Sequence, residues 1–291
     1  MRVHSHITFS AGLEESQAML RAIGHEKDLD SSMRLQAVNL FTDSREYEIL
    51  MTELRNRGIK YHELLRKEFT PAELGAAEFL WMISGDPWGY PEPQAPPGYR
   101  QLCYDLSTAC PMCGNGARQR APFMLKKAPP SRREWWMLNW VFEYLVTDRI
   151  ADLVRQRGFT GCEFWPLLHY KKKVEISGWK QLVITHELPP MSARTELPIV
   201  DQEPNPELEK LFGEASKNPS PCPCGKRGRN LPDTMYYDRE HMACFKDFNK
   251  SAEWLGGGAT TWQMKIISQR VFRFLREQHL DTALFTPIEW V

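Results

Sequence analysis

With 291 residues, 42% of them apolar, the chain can build one large or two ordinary packed domains and does not have the composition of a disordered protein. Lys plus Arg and Asp plus Glu both number 37, so no net field draws it to nucleic acid or to an anionic membrane. No run of about 18 apolar residues occurs, which excludes a transmembrane helix, and Met1-Arg2-Val3-His4-Ser5-His6 is too polar to open a secretory signal.

Residues 2–9 place Val3, Ser5, Ile7 and Phe9 on one side, the pattern of a strand. Residues 13–23 carry Leu13, Met19, Leu20 and Ile23 at helical spacing, with Gly24 as a stop. Residues 38–41 are a short apolar run. Ser44 caps a predicted helix over 45–57, with the stripe Tyr47, Leu50, Met51 and Leu54 and a stop at Gly58. A strand is expected over 59–69. Thr70-Pro71-Ala72-Glu73 is a capping box, predicting a helix that runs to Met82. Five prolines and three glycines make 84–100 an irregular connector.

A short strand is expected over 123–126. Trp135, Trp136, Trp140, Phe142 and Tyr144 then lead into Leu145-Val146. Thr147 caps a helix to Arg157, Gly158 ends it, and 161–167 reads as a strand. Residues 170–185 suggest a hairpin turning at Ser177-Gly178. Seven prolines mark 189–221 as a linker, interrupted by a short helix over 206–212. After it come an aromatic and charged stretch (235–250), the joint Gly256-Gly257-Gly258, and a closing segment over 262–291.

That closing segment repeats the middle one at a gapless offset of 121 residues. Leu145-Val146-Thr147-Asp148-Arg149-Ile150 lies over Ile266-Ile267-Ser268-Gln269-Arg270-Val271. Leu153-Val154-Arg155 lies over Phe274-Leu275-Arg276, and Phe164-Trp165-Pro166-Leu167 over Phe285-Thr286-Pro287-Ile288. Each copy reads as strand, Ser/Thr cap, helix, turn, strand, a half-unit whose apolar faces need a neighbour.

Four of the seven cysteines form two tight pairs, Cys110-Pro111-Met112-Cys113-Gly114 and Cys222-Pro223-Cys224-Gly225. A secreted disulfide scaffold spaces its cysteines more widely, so a reduced, cytoplasmic protein is expected. Two thiols in a tight turn closed by glycine point at one spot, and two such turns complete a tetrahedral sulfur site suited to structural zinc. The favoured ligand set is Cys110, Cys113, Cys222 and Cys224. Two others compete: Cys222 and Cys224 with His241 and Cys244, or Cys103 in place of a turn thiol. Four thiolates leave no open position for water, so the zinc is read as structural. Otherwise Cys103, Cys162 and Cys244 read as small core residues.

Other chemistry is sparse. His4 and His6 would share a strand face, a geometry some hydrolase metal sites use. Glu143 with Asp148, or Asp233 with Asp238, could form acid/base pairs. There is no P-loop, dinucleotide fingerprint or nucleophile elbow. The basic runs Lys171-Lys172-Lys173 and Lys226-Arg227-Gly228-Arg229 are candidate phosphate contacts. Ten tryptophans supply core, with some left for a protein-contact surface.

Three sets of residues, Cys110, Cys113, Gly114; Cys222, Cys224, Gly225; and Ser268, Arg270, Phe285, Pro287, resemble the motifs of the bacterial double-CXXCG proteins of myxobacteria and the related immunity-type proteins of toxin systems. Two departures stand out: the second cysteine turn is one residue short, and Ile288 replaces the family's valine. Cys222-Pro223-Cys224-Gly225 also resembles the SEC-C zinc motif, without its following cysteines. The resemblance implies a zinc-stabilised protein that binds a cognate toxin. The expected fold is α+β: a mixed region over 1–100, a first turn and β-α-β unit over 101–188, the linker, and a second turn and unit over 222–291, joined at one zinc. The expected function is non-enzymatic protein binding without a membrane; the alternative is a nucleic-acid-binding zinc-knuckle protein.

Overall fold

The computed structural model describes residues 1–30, 32, 35–95, 97–111, 114–197, 224, 231–256, 261–280 and 283–291. Helices and sheets are mixed, as expected for an α+β chain, and the chain forms two compact units, Met1–Ala76 and Ala77–Val291. No helix among the described residues is long and apolar enough to cross a membrane.

The first unit runs β1 (Arg2–Ser10), α1 (Leu13–Ala22), β2 (Leu35–Phe41), α2 (Arg45–Asn56), β3 (Tyr61–Glu68) and α3 (Pro71–Ala76). Strand β1 lies between β2 and β3 and is antiparallel to both. Ile7, Phe9, Val38 and Leu40 pack on Met19 and Leu20 of α1 and Leu50, Met51 and Leu54 of α2. The period-two and helical stripes in the sequence therefore meet in one core. Ser44 Oγ accepts from Tyr47 N–H at 3.2 Å and caps α2. His4 and His6 do share a face. His4 meets the Phe41 ring edge-on at 5.2 Å, and His6 Nδ1 lies 2.8 Å from Asn39 Oδ1.

The second unit begins with β4 (Phe79–Ser84), where the sequence predicts the continuation of a helix. Helix α3 stops at Ala76 because the next residues are claimed by neighbours far along the chain. Leu80 and Met82 are buried in a strand paired on both edges. A short apolar run cannot be told from a buried helix by periodicity alone; distant pairing decides.

There follow α4 (Tyr99–Cys103), β5 (Tyr104–Asp105), β6 (Arg118–Gln119), β7 (Met124–Leu125), β8 (Trp135–Met137), β9 (Tyr144–Thr147), α5 (Asp148–Gln156), β10 (Cys162–His169) and β11 (Glu175–Ile184). Further along come β12 (Met235–Tyr237), β13 (Phe248–Leu255), β14 (Trp262–Ser268), α6 (Gln269–Glu277) and β15 (Ala283–Trp290). Of the expected linker over 189–221, residues 189–197 are described, with Met191 and Leu197 packed on the core of the second sheet, and the rest lies outside the described residues. Ser177-Gly178 is not a turn. It sits inside β11, where the register with β10 shifts, and the chain reverses before it, with Lys173 at φ 57° and its N–H on His169 O. A glycine in a strand marked a bulge here.

The described strands of this unit form two five-stranded sheets, β7-β10-β11-β9-β8 and β12-β15-β4-β14-β13, and a two-stranded ladder of β5 with β6. Each five-stranded sheet has a parallel outer pair, β7 with β10 and β12 with β15, followed by three antiparallel pairings. In each, the strand-helix-strand passage spans one intervening strand: β9-α5-β10 across β11, and β14-α6-β15 across β4. The intervening strand follows its passage in the first sheet and precedes it by most of the chain in the second. Phe164 faces Leu182 and Phe285 faces Met82 at equivalent rungs.

The two helix starts are also alike. Thr147 Oγ1 accepts from Ile150 N–H, and Ser268 Oγ accepts from Val271 N–H, both at 3.4 Å. Before β8, Glu134 accepts from Thr147 Oγ1 and is chelated by the Arg149 guanidinium. Before β13, Asp247 accepts from Ser268 Oγ at 2.8 Å and from Arg270. Each arginine also reaches into the other passage: Arg149 Nη1 to Gln278 Oε1, and Arg270 Nη2 to the Arg157 carbonyl. The turn after α5 presses close to β13, since a Cβ on Gly161 (φ 86°) would overlap the Phe248 carbonyl oxygen.

Ser268→Ala should lower stability by about 1–2 kcal/mol, more than Thr147→Ala, because it removes a cap and also a bond to the buried Asp247 carboxylate. Urea unfolding of both variants checks this. Hydrogen bonding to Arg149 holds the Glu134 carboxyl below its ordinary 4.5. Its contribution is therefore complete above that value and is lost as pH falls through the depressed one. Glu134→Gln should shrink the acid-side loss of stability in a pH series.

Candidate binding cleft beside the first cysteine turn

The first cysteine turn is closed by backbone bonds. Cys110 N–H donates to Asn115 O at 2.8 Å, and Cys110 O accepts from Gly114 N–H at 2.7 Å. Gly114 takes φ 73°, and a Cβ there would collide with the Arg100 guanidinium carried by α4. The glycine thus satisfies both a left-handed backbone and a close approach. Cys110 is half-buried in this turn, and Cys224 is half-buried as well. Cys113 and Cys222 lie outside the described residues, as does the run 226–229. Among the described residues, no three His, Cys, Asp or Glu side chains cluster to hold a metal.

The alternative ligands occupy separate places. Cys103 is 1% exposed, donates to Pro122 O at 3.3 Å, and burial pushes its thiol up to about 11, the state of a core residue and not of a thiolate. Burial first, and Asp247 second, raise the Cys162 thiol to about 12. His241 and Cys244 lie in a short 3-10 turn, Arg239–Cys244. Cys244 is exposed there, not in a core.

Beside the cysteine turn opens a cleft of about 690 Å3. One side comes from Asn115 to Gln119 and from Trp140, Val141, Glu143 and Trp165. The other comes from Lys250, Trp254, Trp262, Gln263 and Lys265. Trp165 belongs to the first five-stranded sheet, Trp140 to Glu143 to its β8-β9 turn, and Lys250, Trp254, Trp262, Gln263 and Lys265 to strands of the second. Asn115 to Gln119 belong to the loop and strand of the small β5-β6 ladder, so the cleft draws on both large sheets.

Lys265 projects from the middle of β14, 5% exposed, and donates to Glu143 Oε1 at 2.6 Å. It is the lone charge in the run Met264-Lys265-Ile266-Ile267, a signal legible in sequence but without its partner. Glu143 is thereby engaged by Lys265, and Asp148 lies 3.6 Å from Lys180, so these two carboxylates do not form an acid/base pair. Tyr104, lining the same cleft, has its phenol raised well above the ordinary value by burial, with Glu143 adding to the effect.

The turn from β8 to β9 holds the cleft's aromatic rim. Leu138 N–H donates to Glu143 O, and Phe142 N–H to Leu138 O. Trp140 and Phe142 adopt φ 68° and 54°, a left-handed backbone that large side chains rarely take. Trp140 is 45% exposed and packs on Tyr90 at 4.7 Å between centroids; Phe142 stacks on Trp262 at 4.5 Å. Lys171, Lys172 and Lys173 sit on the β10-β11 turn and do not line the cleft.

No family model matches the chain, and no curated protein matches it.

Lys265→Met should destabilise the protein by about 3 kcal/mol, because it strands a largely buried Glu143 carboxylate. Lys265→Met with Glu143→Leu should recover most of that loss, which a double-mutant cycle in urea measures.

Proposed function

We propose that the chain is a non-enzymatic, zinc-stabilised binding protein of the immunity type, and that its cleft receives a segment of a partner protein. In this reading the second unit consists of two related β-α-β halves, and the two cysteine turns share one structural zinc that fixes the wall of the cleft. One observation carries the reading: the aromatic and charged walls come from both sheets and meet directly beside the Cys110 turn. Concave sites with aromatic lining and a few placed charges are where proteins hold ligands. Rigid, half-exposed tryptophans are the residues that contribute most at protein interfaces. The equal lengths of α5 and α6 and of β10 and β15, and the matching caps, support the duplication.

Metal analysis tests the scaffold. The purified protein should carry one equivalent of zinc, and Cys113→Ser and Cys224→Ser should each lose it and melt several degrees earlier. A variant that keeps its zinc removes that cysteine from the ligand set. Co-expression tests the activity. The product of a gene adjacent to this one should be toxic alone, harmless with this chain, and should co-purify with it. Absence of both protection and co-purification would overturn the immunity reading.

A further inference from the structure

A second surface of this unit is built where β7 and β10 end. The two strands run parallel, with Met124 beside Leu168 and Leu125 beside His169, and both stop there. The chain therefore leaves both strands at the same end of the sheet, and Tyr170 N–H donates to Leu125 O at 2.8 Å. Parallel neighbours lie only about 4.8 Å apart, so two lysine runs distant in sequence, Lys126-Lys127 and Lys171-Lys172-Lys173, emerge side by side. All five lysines are exposed, and none lines the cleft.

Carboxylates do not cancel this charge. Lys126 lies 2.9 Å from the buried Glu92. Glu175, opposite Leu168 in the ladder, is engaged by Lys180. Among the described residues, no carboxylate lies within ion-pair distance of Lys127, Lys171, Lys172 or Lys173. Lys173 sits over the Tyr170 ring at 4.6 Å and donates to Met124 Sδ at 3.2 Å, so its charge is placed without being neutralised. The turn that carries the second run is fixed by its own bonds. His169 N–H donates to Val174 O and Lys173 N–H to His169 O, both at 2.8 Å, and Lys172 N–H donates to His169 Nδ1 at 3.3 Å. A local positive surface is thus held in place on a chain whose net charge is zero.

We propose that this surface contacts the phosphate backbone of a nucleic-acid duplex without reading its sequence. Lysine ammonium groups act on phosphate as point charges, and such contacts carry no sequence information. An acidic protein fits less well, because lysine is depleted at protein interfaces while tyrosine, tryptophan and arginine are enriched. A single strand needs open aromatic faces for its bases. Tyr170, the aromatic residue of these two segments, is half-buried with Lys173 over its ring. A membrane surface needs an apolar face to bury among the lipids, and the β10-β11 turn offers Val174 alone.

The test uses the purified full chain and the anisotropy of fluorescein-labelled probes: DNA duplexes of two unrelated sequences, an RNA duplex, oligothymidylate and polyglutamate. Vesicles of phosphatidylcholine with phosphatidylserine are offered by co-sedimentation. A DNA or RNA duplex should bind at low salt, and the kind bound names the source of the phosphate. Oligothymidylate, polyglutamate and vesicles should bind at least tenfold more weakly. For the bound duplex, log affinity should fall against log salt with a slope of about −3 to −4, as four lysine contacts require. Lys171→Gln with Lys172→Gln should make that slope shallower by about 2, and Lys127→Gln by about 1, with equal weakening for unrelated sequences. Lys246→Gln with Arg273→Gln, which removes the same charge from exposed residues elsewhere, should leave it unchanged. Absence of duplex binding overturns the proposal, as does a slope indifferent to the lysine substitutions in variants of normal melting. Equal loss in the Lys246/Arg273 variant, a preference above tenfold between the DNA sequences, or tighter binding of any other probe does the same. None of these outcomes involves the cleft, so the immunity reading stands or falls separately.

Discussion

Asp247 is the residue on which the second unit's junction turns. Its carboxylate is 7% exposed and accepts from Thr160 N–H and Oγ1, from Ser268 Oγ, and from the Arg270 guanidinium. Its own N–H donates back to Thr160 Oγ1. A buried carboxylate is costly unless its lone pairs are filled, and here they are filled from both strand-helix-strand passages at once. The Thr160 bonds come from the turn after α5. The serine is the cap of α6. A single anion therefore couples where one helix ends to where the other begins.

This coupling holds β13 against the turn after α5. Phe248 N–H reaches Thr160 O, and the glycine at 161 lets the backbones approach closely enough for that bond. The reciprocal arginine contacts, Arg149 to Gln278 and Arg270 to the Arg157 carbonyl, close the arrangement from the other side. Around these polar links, Phe159 meets Phe248 and Phe274 edge-on at 6.3 and 5.4 Å, so the junction is apolar as well as bonded. The cleft's lining draws on both sheets, with the buried Lys265–Glu143 pair at its floor.

A buried pair at that floor adds little net stability, because the desolvation of two charges offsets their attraction. Its effect is on uniqueness. Lys265 belongs to β14 and Glu143 to the β8-β9 turn, so any slip of one sheet against the other would leave a charge buried alone. The same logic applies to Tyr144, whose hydroxyl, buried at the sheet interface, donates to the Met82 carbonyl of β4 at 3.2 Å. Strand β4 is thus held by its ladder and also by a side chain from the other sheet.

The sequence alone determined whatever depends on neighbours within a turn or two of the chain. Ser44, Thr147 and Ser268 announced their helices because a hydroxyl before an apolar stripe can bond only the amides just ahead of it. The alternation in β1 and the offset of 121 were legible for the same reason, and so was the glycine that closes the Cys110 turn. Tertiary structure decided what needs partners far apart. Phe79–Ser84 became a strand, against the local helical reading, because β14 and β15 pair with both its edges. Gly178 became a bulge because β10 holds the residues on either side of it. Lys265 became the floor of a cleft only when Glu143, 122 residues earlier, was brought beneath it. Periodicity records which side of an element is apolar; it carries no address for the surface that will cover it.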